Sequence, residues 1–189
     1  MPSKSSNDPT IPKLTPGQKA PDFTLPAVDG SDLQLSKLIA DHKAVVVLFI
    51  CNHCPYVQAY VDRLIDLQAQ FQNDAALVAI CSNDETAYPE DSFEHMKTIA
   101  SKWKLNFAYV RDEDQAVAKA YGAERTLEIF VLDTQGVCSY EGGIDDNFQN
   151  PQKVKDQPLR DAIAQIIQDK QVTRPQTWAI GCTIKWKKA

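Results

Sequence analysis

Residues 44–57 read AVVVLFICNHCPYV. Ala44 to Ile50 is an unbroken apolar run rich in β-branched side chains. A run without polar alternation suits a strand covered on both faces. Cys51-Asn52-His53-Cys54 follows at once, and Pro55 fits a first helical turn, where a missing N–H costs nothing. Val57, Val61, Leu64, Ile65, Gln68 and Phe71 then mark one face at helical spacing. The C-x-x-C pair therefore lies at a strand-to-helix junction.

Outward from this junction the same alternation continues. On the N-terminal side, 17–30 alternates weakly and ends in Asp29-Gly30, a hairpin turn signal, so 31–38 is expected to return as a short strand and turn. On the C-terminal side, 76–81 (ALVAIC) reads as a second buried strand and 91–104 as a helix with Phe93, Met96, Ile99, Ala100 and Trp103 on one side. A short strand over 107–110 and a helix over 114–121 follow, with Gly122 as a left-handed stop. Strands over 128–133 and 137–141 flank Thr134-Gln135-Gly136, and Leu159, Ile163, Ile166 and Ile167 give a last helix. Such alternation predicts an α/β sheet covered on both faces, with an N-terminal β-hairpin and a closing antiparallel hairpin. We expect a disordered arm over 1–13, one domain over 14–170, and a tail over 171–189 packing on or near it.

Composition narrows the function. The chain has 189 residues, a size of about one domain. Its 20 Lys+Arg against 25 Asp+Glu leave a net charge of −5, which argues against a nucleic-acid partner that needs basic surface. No window is long and apolar enough to span a membrane, and Lys185, Lys187 and Lys188 are too few for a membrane anchor. Met1 to Lys13 is polar, without the apolar centre of a secretory signal, so a cytoplasmic location is expected.

The five cysteines, Cys51, Cys54, Cys81, Cys138 and Cys182, are an odd set unlike a secreted disulfide framework. A C-x-x-C in a reducing compartment reads as half a zinc site, a redox dithiol or coincidence. A structural zinc site normally needs four ligands, and no second pair at ligand spacing exists, so no metal or other cofactor is expected. The junction itself favours redox chemistry. A thiol reacts as its thiolate, and a helix N-terminus carries roughly half a positive charge with unpaired N–H donors. Cys51 is thus expected to attack and Cys54, one turn on, to resolve, with His53 lowering the thiol pKa if protonated.

These residues resemble the thioredoxin superfamily, specifically its redoxin branch of peroxiredoxins and thiol reductases. The resemblance rests on Gly17-Gln-Lys-Ala-Pro-Asp-Phe23, the active-site string Cys51-Asn-His-Cys-Pro-Tyr-Val57, Arg125-Thr-Leu-Glu-Ile-Phe-Val-Leu-Asp133 and Gly181-Cys-Thr-Ile-Lys-Trp186. It implies a thioredoxin-like fold and dithiol exchange with a protein disulfide, a small thiol or a peroxide. Two departures matter. Peroxidases of this superfamily carry Pro-x-x-x-Thr-x-x-Cys and a downstream Arg. Counting back from Cys51 gives Leu48 and Ala44, and from Cys54 gives Cys51 and Val47. That places thiol–disulfide exchange ahead of a thiol peroxidase. The third reading is a non-catalytic module that binds metal or a partner.

The second departure is Leu127, after Thr126, where the resemblance implies a cis-proline shaping the substrate groove. A cis bond before leucine would cost about 2.5–4 kcal/mol, so a trans bond is expected. Cys182 is a candidate third redox thiol able to reach Cys51 or Cys54, set against the plainer reading of an ordinary free or buried cysteine. Cys81 and Cys138 read as core, Tyr56 and Trp178 as groove candidates set against simple packing, and Glu85, Glu90 and Asp91 as a solvated charge run.

Overall fold

β3 (Ala44–Phe49) is buried along its whole length. The computed structural model describes residues 12–188. Because strand side chains alternate, the run divides between two cores. Ala44, Val46 and Leu48 enter one cluster; Val45, Val47 and Phe49 enter the other. Full burial of such a Val or Leu contributes about 1.5–3 kcal/mol. This accounts for the missing polar alternation: neither face of the strand meets water.

β3 is the middle of a five-stranded sheet of order β5-β4-β3-β6-β7. β4 (Ala75–Cys81) and β5 (Ala108–Arg111) extend it in parallel, while β6 (Ile129–Leu132) and β7 (Cys138–Gly142) close the other side antiparallel. α2 (Pro55–Phe71), α3 (Phe93–Trp103) and α5 (Pro158–Ile167) supply apolar residues to the first core. α1 (Leu35–Asp41) and α4 (Ala116–Tyr121) supply the second. The hairpin of β1 (Thr24–Pro26) and β2 (Asp32–Gln34) covers that same side.

The expected central mixed sheet with helices on both faces is present. Three local expectations are corrected. Residues 31–38 are strand only over Asp32–Gln34, and α1 begins at Leu35. Leu35, Leu38 and Ile39 repeat at helical spacing and pack on the second core. The arm expected over 1–13 lies outside the described residues except for Pro12 and Lys13. Lys13 is docked rather than free, its Nζ 3.2 Å from Glu128 and 2.6 Å from Glu141. Gly122 is left-handed as expected, and it also lets residues 12–13 pass: a Cβ there would lie 2.5 Å from Lys13 Cα. The third correction, at Asp91, belongs to the site.

No helix among the described residues is long and apolar enough to cross a membrane.

Candidate active site

The C-x-x-C loop leaves β3 and is pinned by its second residue. The Asn52 backbone N–H donates to Asp91 Oδ1 at 2.8 Å, and its side-chain amide donates to the Glu90 carbonyl at 2.8 Å. Tyr109 Oη donates to Asn52 Oδ1 at 3.0 Å, and Gln58 donates to the Asn52 carbonyl at 3.1 Å. Asp91 is therefore no part of a solvated run. It is 0 % exposed and accepts a further hydrogen bond from Asn83 at 2.7 Å. A buried carboxylate needs such partners, and here they tie the loop after β4 to the loop after β3.

His53 turns toward this carboxylate. Its Nδ1 lies 2.7 Å from Asp91 Oδ2, and its ring stacks on Tyr88 at 5.7 Å between centroids. Among the described residues, the donor atoms of Cys51, His53 and Asp91 lie within 4.8 Å of one another, a group able to hold a metal ion.

The helix begins one turn later than expected for a thiolate at Cys51. Cys54 is the N-cap of α2, with Pro55 in its first turn, and Cys51 lies in the loop two residues past the end of β3. Both sulfurs are covered, with Cys51 1 % and Cys54 0 % exposed. Thr126 Oγ1 stands 3.2 Å from Cys54 Sγ, and Cys182 Sγ stands 2.9 Å from it. Cys54 is held well below the ordinary thiol range, at about 4, against the cost of burial. The hydrogen bond from Cys51 is the largest cause, followed by those from Cys182 and Thr126. The Cys54 side chain makes no regular capping bond, yet the Val57 amide of the first turn also favours the anion. Cys51 moves the other way, because its thiol donates to Cys54, is buried and faces the Asp91 carboxylate. Burial and the bond to Cys54 raise Cys182 to about 11. One negative charge thus rests on the middle of three sulfurs.

Cys182 is brought here by the tail. The Thr126 N–H donates to the Cys182 carbonyl at 2.8 Å, and the Cys182 N–H donates to Thr126 Oγ1 at 3.0 Å. Ile184 and Lys185 continue the seam onto the Glu124 carbonyl and Asn83 Oδ1. Leu127 adjoins this seam; it is buried, its peptide bond is trans, and its φ is +61°. Its N–H donates to the Phe49 carbonyl at 2.6 Å, which fixes that backbone against β3.

The other candidates fall elsewhere. Cys81 and Cys138 are buried in strands, as expected. Tyr56 packs edge-on against Phe148, and Trp178 is 85 % exposed. Arg125 faces Glu128, and Arg111 is held among the Asp91 carbonyl, Cys81 and Glu85. Sequence reasoning missed Asp91, Asn52 and Asn83. The polar run after a buried strand was the signal available, and it resembles an ordinary solvated turn.

A family model described as "AhpC/TSA family" matches residues 16–141. The chain is 32 % identical over 169 residues to the chloroplastic peroxiredoxin Q of Populus jackii, covering 85 % of this chain and 74 % of that protein. A crystal structure of an uncharacterized conserved protein from Geobacillus kaustophilus superposes with a TM-score of 0.86 at 38 % identity, covering 100 % of this chain and 98 % of the other. The thioredoxin domain of a thiol-disulfide oxidoreductase from Bacteroides vulgatus superposes with a TM-score of 0.59 at 18 % identity, over 68 % of this chain and 89 % of that domain. The last likeness is one of fold alone, and the fold is thioredoxin-like.

Proposed function

We infer that this chain, a thiol-dependent oxidoreductase belonging to the AhpC/TSA family, exchanges disulfides through Cys51 and Cys54, with Cys54 as the thiolate. The observation that carries this reading is the convergence of Cys51, Thr126 and Cys182 on Cys54 Sγ at the start of α2. The order expected from the sequence is then reversed. Cys54 attacks a substrate disulfide, one substrate sulfur leaves as a thiol, and Cys51 displaces the other to close Cys51–Cys54. Thr126 holds the anion, while His53 and Asp91 hold the loop.

Relatives of this family point to small thiols or peroxides as substrates. A small disulfide suits this site better than a protein chain, since the tail occupies the groove beside Thr126 and Leu127. An odd count of five cysteines supports a reducing compartment such as the cytoplasm.

The test is reduction of oxidised glutathione by dithiothreitol. The wild type is expected to accelerate it, Cys54→Ser to return it to background, and Cys51→Ser to slow it. A wild-type rate equal to that of Cys51→Ser removes the proposal.

A thiol peroxidase is the second reading, favoured by the likeness to peroxiredoxin Q and by the Thr126 hydroxyl beside the thiolate. Against it, neither Cys51 nor Cys54 closes a Pro-x-x-x-Thr-x-x-Cys frame that would set donors to polarise a peroxide. Thiol-dependent loss of hydrogen peroxide, compared with Cys54→Ser, separates the two.

A further inference from the structure

We propose that Cys182 is the sulfur through which this site exchanges with external thiols: it closes a disulfide on Cys54, and a small thiol or disulfide reacts at Cys182. This rests on the dithiol reading above and adds a third station to it.

Four observations carry it. First, the Cys54 and Cys182 sulfurs lie 2.9 Å apart, so they need approach by only about 1 Å to bond. Second, the approach is built. Residues 182–185 are stitched by backbone bonds to Glu124, Thr126 and Asn83. Third, Gly181 permits that approach, because a Cβ there would lie within bonding distance of the Thr126 carbonyl oxygen. Fourth, access is graded. Cys51 and Cys54 are sealed from solvent, whereas Cys182 is half-buried.

The chemistry follows from that access. An external thiolate attacks the Cys182 sulfur of a Cys54–Cys182 disulfide. The S–S bond breaks, Cys54 leaves as a thiolate beside the Thr126 hydroxyl, and the external group remains on Cys182 as a mixed disulfide. A second external thiolate then attacks the external sulfur of that mixed disulfide. It releases the oxidised external disulfide, and Cys182 takes up a proton. Two electrons pass from two external thiols to the Cys54–Cys182 pair. Alternatively Cys51 attacks Cys54, forming Cys51–Cys54 and freeing Cys182 with no net redox change. Attack at Cys182 takes the more accessible of the two bonded sulfurs, since Cys54 is sealed and Cys182 is half-buried.

The test uses the full chain equilibrated in a glutathione redox buffer, quenched with acid, alkylated and mapped by mass spectrometry without reduction. In the wild type a Cys54–Cys182 link is expected alongside Cys51–Cys54, and in Cys51→Ala it becomes the only link. In Cys54→Ala, glutathione is expected on Cys182 and not on Cys51. Cys182→Ser, whose hydroxyl is nearly the same size as the thiol, is expected to form Cys51–Cys54 but be reduced by glutathione about ten-fold more slowly or worse. If Cys51–Cys54 forms alone, or Cys182→Ser is reduced at the wild-type rate, the proposal is overturned and the dithiol reading stands. If Cys54 enters no disulfide at all, both fall.

Discussion

Cys54 keeps its charge because two thiols and a hydroxyl converge on it, so its protonation is readable in solution. Its folded pKa, about 4, lies below the ordinary 9.0. A depressed acid stabilises the fold fully above the unfolded value and loses that contribution as pH falls toward the folded one. The reduced protein is therefore expected to lose stability between pH about 9 and about 4 more steeply than Cys54→Ser. Denaturant titrations across that range check it, and the ultraviolet thiolate band should persist to about pH 4 in the wild type only. Asp91 is the second residue with a measurable role. Asp91→Ala strands the Asn52 N–H and the Asn83 amide, and is expected to cost about 1–3 kcal/mol for each in urea unfolding. Leu127 sits at left-handed φ, a strain of about 1–2 kcal/mol, but its buried side chain is worth about 2–5 kcal/mol. Leu127→Gly should thus be destabilising by about 1–3 kcal/mol, the lost packing outweighing the relieved backbone, as the urea midpoint will report.

At the scale of elements, α2 and the tail divide the work. α2 starts at Pro55, which makes Cys54 rather than Cys51 the residue at the helix mouth. Loop 142–157 is tied to α2 by Asp145, which accepts from Tyr60 Oη at 2.8 Å and Arg63 at 2.6 Å. Among the described residues the tail adds no regular strand, only isolated bridges of Gln176 with Glu141 and Thr183 with Arg125, and the bonds around Thr126. Its seating depends on Gly181. Gly181→Ala drives a Cβ into the Thr126 carbonyl, so the tail must lift. Iodoacetamide labelling of Cys182 and Cys54, followed by mass spectrometry, is expected to quicken several-fold. An unchanged rate would mean that the tail does not cover the thiolate in solution. α1 was legible in principle, since Leu35, Leu38 and Ile39 have helical spacing. The Asp29-Gly30 turn drew attention to a returning strand that ends after three residues.

Across the whole molecule, the sheet brings three remote segments to the end of β3. Ending the chain after Gly143 would strip α5 and Val172 from the first core, whereas stopping after Ile180 removes the seam over the dithiol and only Ile184 from the second. The shortened chain is expected to remain folded by circular dichroism and to gain reactivity toward larger disulfides such as insulin. The α/β class, the sheet centre, the hairpins and the dithiol at its junction could all be read from the sequence. Each leaves a local mark: an apolar run without alternation, a turn pair, or a spacing of two residues between cysteines. The partners of the thiolate could not. Asn52 meets Asp91 across 39 positions, Cys54 meets Thr126 across 72, and Cys54 meets Cys182 across 128. Contacts at such separations have no periodicity of their own. Only the packed sheet fixed which cysteine carries the charge, because that charge depends on donors brought from two distant stretches, Thr126 and Cys182, acting together with Cys51 inside the motif.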